Sequence, residues 1–319
     1  MRTYAVRLVT VLTALMYALV PAAAAHADTP YHPAGAIEAK FFQPGPFAVS
    51  SRFGFGCCDS TGAKYDIWYP ADLGTARHPI ITWGNGTVAV PRQYDYLLAH
   101  LASWGFVVIA TENQSTGSGV DIARAARYLI DRAADPASIF HNRLDPDAVG
   151  AMGHSQGATG VLNAMALSGG LIKTAIPIEL PMQALCFAGS CADPAKLRSG
   201  SVFFVNGSGD GFISPSTPWL PLPGLQSNRQ YYDATSRTVT KSWGTLIGPN
   251  HNDVQGRTDC SGASSGCTTG VYGYLGYPTA WMMGQLWGDM AACAAFTPGS
   301  GEFFRPNLNW TNQIGTVAR

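Results

Sequence analysis

The sequence predicts an α/β fold in which a mostly parallel central sheet carries helices on both faces, without a large cap domain. Short apolar runs typical of buried strands alternate with segments whose apolar residues recur at helical spacing. A Gly-x-Ser-x-Gly turn stands between one such strand and the helix after it. Polar loops follow several strands, at the edge of the sheet where such folds carry their sites.

The first 27 residues have the pattern of a secretory signal peptide. Arg2 and Arg7 precede an apolar stretch at 8–20, and Ala25-His26-Ala27 forms a cleavage signal before Asp28. A membrane anchor is the alternative, but the apolar stretch is too short to span a bilayer. We therefore expect a secreted, extracellular protein without a membrane anchor, with a single domain over residues 28–319.

In chain order, the predicted strands are apolar or alternating runs bounded by turn residues. One lies within 41–56, the next at 64–69, and the others at 79–83, 106–110, 147–152, 175–178, 202–205 and 238–247, the last of which should end the sheet. The predicted helices carry an apolar stripe and cover 92–104, 122–133, 156–167 and 277–295, the last of which should close the fold. This alternation makes most neighbouring strands parallel.

The segment Gly153-His154-Ser155-Gln156-Gly157 has the form of a nucleophile elbow, a sharp turn that exposes a serine hydroxyl. A strand pattern precedes it and a helical pattern follows it, so Ser155 is the predicted nucleophile. The elbow glycines are needed because strand and helix approach too closely for a Cβ atom. A second match around Ser264 lies in a polar tract without flanking strand or helix, and we expect a loop there.

A serine hydroxyl needs a histidine to take its proton and a carboxylate to orient that histidine. Of the seven histidines, only His251 follows the elbow helix, in a loop after the last predicted strand. Asp210, in a glycine-rich loop after the strand at 202–205, is the predicted acid, and Glu179 is the runner-up. The remaining acidic candidates are expected to be surface charges, namely Asp193, Asp233, Asp253 and Asp259.

An oxyanion hole requires two backbone N–H groups near the nucleophile. One is expected from Gln156, directly after Ser155, and the other from the 84–87 loop, where Asn85 is the best single candidate. The alternative for this loop is a plain tight turn. His154 is predicted to be a packing residue beside the nucleophile and not a base.

All seven cysteines lie beyond residue 27, and an oxidising compartment favours disulfides between them. An odd number leaves one thiol over, and the connectivity stays open. A zinc site is the alternative, but no Cys-x-x-Cys pair occurs, and we expect neither a metal nor a cofactor. The pairs expected are Cys186 with Cys191, Cys260 with Cys267, and Cys293 with Cys57 or Cys58.

Together these segments resemble the α/β-hydrolase superfamily, and within it the secreted actinobacterial cutinase and polyester-hydrolase group, with the related dienelactone-hydrolase-like esterases. The resemblance implies hydrolysis of carboxylic esters, including cutin and synthetic polyesters, without a cofactor. It implies Ser155, Asp210 and His251 as the triad, with Asn85 and Gln156 as oxyanion donors. It spans residues 41–290 and rests on Gly45-Pro46-Phe47-Ala48-Val49-Ser50, Ile67-Trp68-Tyr69-Pro70, the 84–87 loop, Trp104-Gly105-Phe106-Val107-Val108-Ile109, the elbow, Ile176-Pro177 and the positions of Asp210 and His251.

Three positions depart from the pattern of that group. A methionine usually follows the nucleophile, where this chain has Gln156, and an aromatic residue usually stands at the position of Asn85. The tryptophan usually found near the strand that leads into Glu179 has no counterpart. Such aromatic residues line the groove for aromatic acyl units. The candidate substitutes are Tyr272, Tyr274, Tyr277 and Trp281, which are otherwise expected to be a packing set.

The predicted function is a secreted serine carboxylic ester hydrolase acting on short- to medium-chain esters and on polyesters. A serine peptidase or an acyltransferase on the same scaffold is the alternative, and a catalytically silent binding protein is a third hypothesis. Lys plus Arg and Asp plus Glu each total 20 and form no basic stripe, so we expect no nucleic-acid partner. We expect a monomer.

Overall fold

The computed structural model describes residues 31–186 and 190–318. The predicted signal peptide, residues 1–27, lies outside the described residues. Within them, no helix combines the length and the apolar character that crossing a bilayer would need. The described ranges include every residue predicted for the catalytic site.

One nine-stranded sheet forms the centre of the described part of the chain. Its strands are β1 (Val49–Cys57), β2 (Lys64–Pro70), β3 (His78–Gly84), β4 (Val107–Thr111), β5 (Leu144–His154), β6 (Ile172–Ile178), β7 (Ser201–Gly207), β8 (Thr240–Leu246) and β9 (Trp310–Thr316). Their order in the sheet is β1-β2-β4-β3-β5-β6-β7-β8-β9. The pairings among β3 to β8 are parallel, whereas β1, β2 and β9 lie antiparallel at the two edges. The predicted mostly parallel sheet is confirmed.

Helices cover both faces of this sheet, as predicted. The α-helices among the described residues are α1 (Ala36–Phe42), α2 (Asp95–Ser103), α3 (Val120–Ala134), α4 (Gln156–Leu167), α5 (Asn228–Ala234), α6 (Gly276–Met282) and α7 (Met290–Ala294). On one face, α3 and α4 bury Leu129 and Val161 in a single apolar cluster. On the other face, α2 and α6 bury Leu98 and Trp281 in a second cluster. Each of these helices therefore turns its apolar stripe toward the sheet.

The prediction for the C-terminal part of the chain was wrong in two respects. The run at 238–247 does not end the sheet, because β8 pairs with β9. The predicted helix at 277–295 is broken by a π-helical turn at Met283–Trp287 and by Gly288, whose φ of 69° is left-handed. The strand β9 escaped prediction because it is an edge strand with mostly exposed or half-buried residues, which weakens its alternating pattern. The helix α1 was not predicted either.

No inserted domain covers the carboxyl ends of the central strands among the described residues. Between β6 and β7 lie two short 3-10 turns, Gln183–Leu185 and Pro194–Lys196. Between β7 and β8 lie a loop and the short helix α5. The expectation of a fold without a large cap domain is confirmed.

The cysteines pair differently from the expectation in two of three cases. The Cys260–Cys267 disulfide is present as predicted. Cys57 is bonded to its chain neighbour Cys58, so neither is free for Cys293, whose thiol packs against Gly284. Cys186 and Cys191 are free thiols in hydrogen-bond contact with each other and not a disulfide. The described residues thus hold three free thiols in place of the one expected.

Candidate active site

Ser155 occupies a strained turn between the end of β5 and the start of α4. Its φ of 55° and ψ of −121° lie outside the regions that residues with side chains prefer. A Cβ atom on Gly157 would collide with the carbonyl oxygen of Gly84, and one on Gly153 would collide with the Gly157 carbonyl. The strand–turn–helix context predicted for Ser155 is therefore present, and both elbow glycines are required by close backbone packing.

His251 lies between the other two predicted catalytic residues. Its Nε2 atom is 2.9 Å from Ser155 Oγ, and its Nδ1 atom is 2.5 Å from Asp210 Oδ2. Asp210 is buried, whereas Ser155 is 9% exposed and the His251 side chain 13% exposed. A hydroxyl, an imidazole and a carboxylate that follow three different strands thus form one hydrogen-bonded line.

The surroundings of Asp210 favour its ionised form. Burial acts to raise its pKa, but His251 and the backbone N–H of Ile213 outweigh burial, and the pKa is lowered. The Ile213 N–H donates to Oδ1 at 3.0 Å, which leaves Oδ2 for the imidazole. Because a carboxylate only accepts, Nδ1 of His251 carries the proton and Nε2 is free to accept one from Ser155.

Glu179, the runner-up for the acid, lies behind Asp210 and not on the imidazole. It follows β6, is fully buried, and its Oε1 atom accepts from the Tyr274 hydroxyl at 2.5 Å and from Gly207 N–H at 2.6 Å. Burial and the nearby Asp210 charge raise the pKa of Glu179 well above its ordinary range. The structure therefore places Asp210, and not Glu179, at His251 Nδ1.

His154 supports the loop that carries His251, which fits its prediction as a packing residue. Its Nε2 atom lies 2.7 Å from the carbonyl oxygen of His251, and its Nδ1 atom lies 2.9 Å from the Tyr94 hydroxyl. Burial lowers the pKa of His154 well below its usual value, and the nearby His251 adds to this effect. The ring of His154 is therefore neutral. The Tyr94 hydroxyl also accepts from Gly86 N–H at 3.1 Å and from Gln255 at 3.2 Å. Tyr94, which the sequence did not single out, thus links the 84–87 loop to the His251 loop.

The two predicted oxyanion residues are joined through Thr116. The Thr116 N–H donates to Gln156 Oε1 at 3.0 Å, and its hydroxyl donates to the Asn85 carbonyl at 2.8 Å. The Asn85 side chain is buried and donates to the carbonyl oxygens of Thr111 and Asn113 at 2.7 and 3.0 Å. Both side chains therefore fix loops, and the role predicted for Asn85 and Gln156 concerns their backbone N–H groups, where it remains a prediction.

Asp253 was expected to be a surface charge, and that expectation was wrong. It is fully buried two residues after His251. Its Oδ2 atom accepts from Asn250 N–H at 2.6 Å, and its Oδ1 atom accepts from the N–H groups of Thr268, at 2.9 Å, and Gly270, at 2.5 Å. The carboxylate therefore ties the His251 loop to the segment after the Cys260–Cys267 disulfide, a contact across the chain that no local pattern shows.

Other expectations for this region are confirmed. Asp193, Asp233 and Asp259 are not buried. Ser264 lies in a loop, where its hydroxyl accepts from Gln93 at 2.9 Å and its N–H donates to Gln255 at 2.8 Å. The aromatic set at the C-terminal side is largely a packing set, because Tyr274, Tyr277 and Trp281 are buried in the second apolar cluster.

Within residues 31–186 and 190–318, two groups of side chains have the donor types of a metal site. Asp253 lies near Cys260 and Cys267, but these cysteines are bonded to each other and offer no thiolate. The second group is Glu179, Asp210 and His251, whose donor atoms lie within 4.8 Å of one another. Both nitrogens of His251 already face Ser155 and Asp210. Neither group therefore fits a metal ion without losing the contacts described above.

The sheet, the helices on its two faces and the serine at the strained turn after β5 define an α/β-hydrolase fold. The chain belongs to the PET hydrolase-like family, whose sequence model matches residues 22–189. That match includes the elbow and the 84–87 loop and ends before Asp210 and His251. The places of Asp210 and His251 beside Ser155 therefore rest on the geometry.

Relatives of the chain carry the names of ester hydrolases, which agrees with this family. The chain is 33% identical over 180 residues to cutinase cut1 of Thermobifida fusca, covering 52% of each chain. It is 34% identical over 140 residues to cutinase est2 of Thermobifida alba, covering 42% of this chain and 44% of the relative. It is 28% identical over 159 residues to a bis(hydroxyethyl) terephthalate hydrolase of Streptomyces coelicolor, covering 48% and 49%. The chain spans about half the length of the relatives that it matches.

Proposed function

We propose that this protein is a serine carboxylic ester hydrolase that acts on short- to medium-chain esters and on polyesters. The observation that carries the proposal is the placement of His251 between Ser155 Oγ, at 2.9 Å, and Asp210 Oδ2, at 2.5 Å. Nucleophile, base and acid are within hydrogen-bond reach in the order that acyl transfer requires. The family membership and the cutinases among the relatives support the same class.

In the proposed reaction, Ser155 Oγ attacks the ester carbonyl carbon while His251 Nε2 takes the hydroxyl proton. The C–O bond to the alcohol then breaks, and His251 gives the proton to the leaving alcohol, which leaves an acyl-enzyme. Water attacks the acyl-enzyme with His251 again as base, and the acid leaves as Ser155 regains its proton. Asp210 stabilises the imidazolium that exists between these transfers.

The backbone N–H groups of Asn85 and Gln156 are the proposed donors to the oxyanion that forms during each attack. Gln156 stands at the first position of α4, where the N–H groups of a helix have no partner within the helix. Gly157 packs against the carbonyl oxygens of Gly84 and Asn85, so the 84–87 loop lies against the same helix start. Removing one donor of this kind costs about 100- to 1000-fold in turnover in other enzymes.

A polymer chain is a suitable substrate because the loop after Asp210 presents apolar side chains to solvent. Phe212 and Trp219 are both 51% exposed and their ring centres lie 6.0 Å apart, with Leu220 and Leu222 close by in sequence. Contiguous exposed apolar side chains are uncommon on soluble proteins, and they often mark binding surfaces. The terephthalate ester named for the Streptomyces coelicolor relative adds aromatic esters to the candidate substrates.

The central test compares Ser155→Ala with Ser264→Ala on p-nitrophenyl esters of increasing acyl length. We expect Ser155→Ala to lose on the order of 10⁶ in turnover, as loss of the nucleophile does in subtilisin, while its fold is retained. Ser264→Ala, at the second Gly-x-Ser-x-Gly match, should stay active and is the matched control. Loss of activity in Ser264→Ala alone, or hydrolysis of peptides in preference to esters, would contradict the proposal.

Export and a monomeric state complete the proposal. The pattern of residues 1–27 and the Cys260–Cys267 disulfide support an oxidising, extracellular location. N-terminal sequencing of the protein recovered from culture medium should begin at Asp28. Light scattering of that material should give the mass of a single mature chain, and a larger mass would exclude the monomer.

A further inference from the structure

The carboxyl group of Glu179 has no part in the chemistry proposed above, although it lies beside the triad. Glu179 is fully buried, and its φ of 49° is left-handed. Such a backbone conformation is unfavourable for a residue with a side chain and concentrates at functional sites. An ionised carboxylate in this place would be costly unless it were well paired.

Only one of the two Glu179 oxygens accepts hydrogen bonds from N–H or O–H groups of the described residues. Oε1 accepts from Tyr274 and from Gly207, whereas no N–H or hydroxyl group of the described residues reaches the buried Oε2. The Glu179 carboxyl instead lies beside the Asp210 carboxylate, because an oxygen of each and a nitrogen of His251 lie within 4.8 Å of one another. A hydrogen bond between two carboxyl groups requires that one of them holds a proton.

The neighbouring groups decide which carboxyl holds that proton. Asp210 faces His251 and accepts the Ile213 N–H, and both contacts favour its ionised form. Glu179 faces the Asp210 charge and the Tyr274 hydroxyl, with the charge of Asp253 beyond that hydroxyl. Two carboxyl groups this close do not both ionise, and the one with no cation beside it keeps the proton.

We propose that Glu179 is protonated in the folded enzyme and donates its carboxyl proton to Asp210, which makes it a positioning residue for the triad acid. This inference rests on the proposed function, because Glu179 acts through Asp210 and His251. The donated bond holds the Asp210 carboxylate toward His251 Nδ1. As a neutral group, Glu179 adds no second negative charge near the imidazole.

The first experiment detects the proton without using activity. Wild type and Glu179→Gln are unfolded in urea from pH 5 to pH 8, and the pair is repeated in the Ser155→Ala background. The unfolded chain ionises this glutamate near its ordinary range while the folded chain keeps its proton. The unfolding equilibrium constant of wild type should therefore rise relative to the variant by up to about tenfold per pH unit. A ratio that stays constant over the whole range would overturn the proposal.

The second experiment asks whether that proton serves the triad. Glu179→Gln keeps an N–H donor for Asp210, whereas Glu179→Leu has none. We expect kcat to fall about 100-fold in Glu179→Leu with little change in KM, as misplaced catalytic groups do, and the Gln variant to recover most of the loss. Equal impairment of the two variants would show that Glu179 does not act as a donor.

The pH profile of kcat/KM is an independent test of whether Glu179 is neutral or ionised. Glu179→Gln replaces one neutral group by another, so the acid limb of the profile should keep its position. If Glu179 were ionised, removing its charge so close to the imidazole would move the acid limb down by about one pH unit or more. Such a shift would overturn the proposal.

Glu38→Gln is the matched control for the activity measurements. Glu38 is also a buried glutamate, but it accepts from Tyr31, Ala34 and Trp310 and has no contact with the triad. It should leave the pH profile of kcat/KM unchanged. If wild type hydrolyses no ester at all, the proposed function fails, and the unfolding experiment still decides the state of Glu179.

Discussion

Three buried carboxyl groups near the triad show how surroundings assign different tasks to one kind of side chain. Asp210 faces an imidazole and its pKa is lowered despite burial. Glu179 faces another carboxylate, and burial raises its pKa. Asp253 is surrounded by backbone N–H groups of two loop segments. Donors or a cation that converge on a carboxylate stabilise its ionised form, whereas burial beside another carboxylate destabilises it.

At the residue scale, Asp253→Asn should weaken both the fold and the catalysis. The amide would lose one acceptor atom and leave buried N–H groups without a partner, at a cost of about 2–3 kcal/mol in the free energy of unfolding. Displacement of the neighbouring His251 should lower kcat by about tenfold or more. Urea unfolding and ester kinetics measure the two effects.

The control for this change is Asp259→Asn, which alters an aspartate outside the core six residues along the chain. It should change neither stability nor kcat. If Asp253→Asn is as stable and as active as this control, the carboxylate does not anchor the His251 loop.

At the scale of elements, the site is carried by loops that follow the strands. The hydrogen bonds of Thr116 show how the positions of these loops are fixed relative to one another. Thr116 follows β4, yet it bonds both the 84–87 loop after β3 and the first residue of α4. The Tyr94 hydroxyl performs a similar task, because it accepts from Gly86 N–H in the 84–87 loop and from Gln255 after His251. The sheet brings these loops to one edge, and a few buried hydroxyl groups fix their relative positions.

The loop between β7 and α5 should contribute more to the rate of polymer hydrolysis than to the rate on small esters. Trp219→Ser removes the largest exposed apolar side chain of this loop, and we expect release of acid from a polyester film to fall several-fold. The rate on a soluble p-nitrophenyl ester should stay within about twofold, because that substrate reaches Ser155 without lying along the loop.

Leu308→Ser is the matched control, since Leu308 is 91% exposed and lies outside this loop. It should leave both rates unchanged. A parallel fall of the film rate and the soluble-ester rate in Trp219→Ser would indicate a structural effect and not polymer contact.

At the scale of the whole molecule, the fold without a large cap domain predicts catalysis without interfacial activation. The described connections between β6 and β7 and between β7 and β8 contain only short turns, loops and the short helix α5. Such elements do not form a mobile helical lid, so Ser155 is expected to lie in an open groove. We expect the rate on short-chain esters to rise smoothly as the substrate passes its solubility limit.

The measurement is the initial rate against ester concentration across that limit. A sharp rise at the point where substrate aggregates form would show that a lid exists. Strict preference for long-chain triglycerides would lead to the same conclusion.

The sequence alone determined the parts that depend on neighbours along the chain. The elbow around Ser155 was recognisable because a strand pattern and a helical pattern flank it directly. The alternation of strands and helices was sufficient for the class of fold, and His251 stood out as the only histidine after the elbow helix. None of these signals requires the distance in space between residues that are remote in sequence.

The tertiary structure decided what depends on segments that are far apart in sequence. Asp253 and Asp259 look alike as loop aspartates, and only the folded chain shows that one is enclosed by N–H groups and the other lies outside the core. The pairing of β9 with β8 could not be predicted for the same reason. Burial, charge pairing and edge pairing are properties of distances in space, and the order of residues does not record those distances.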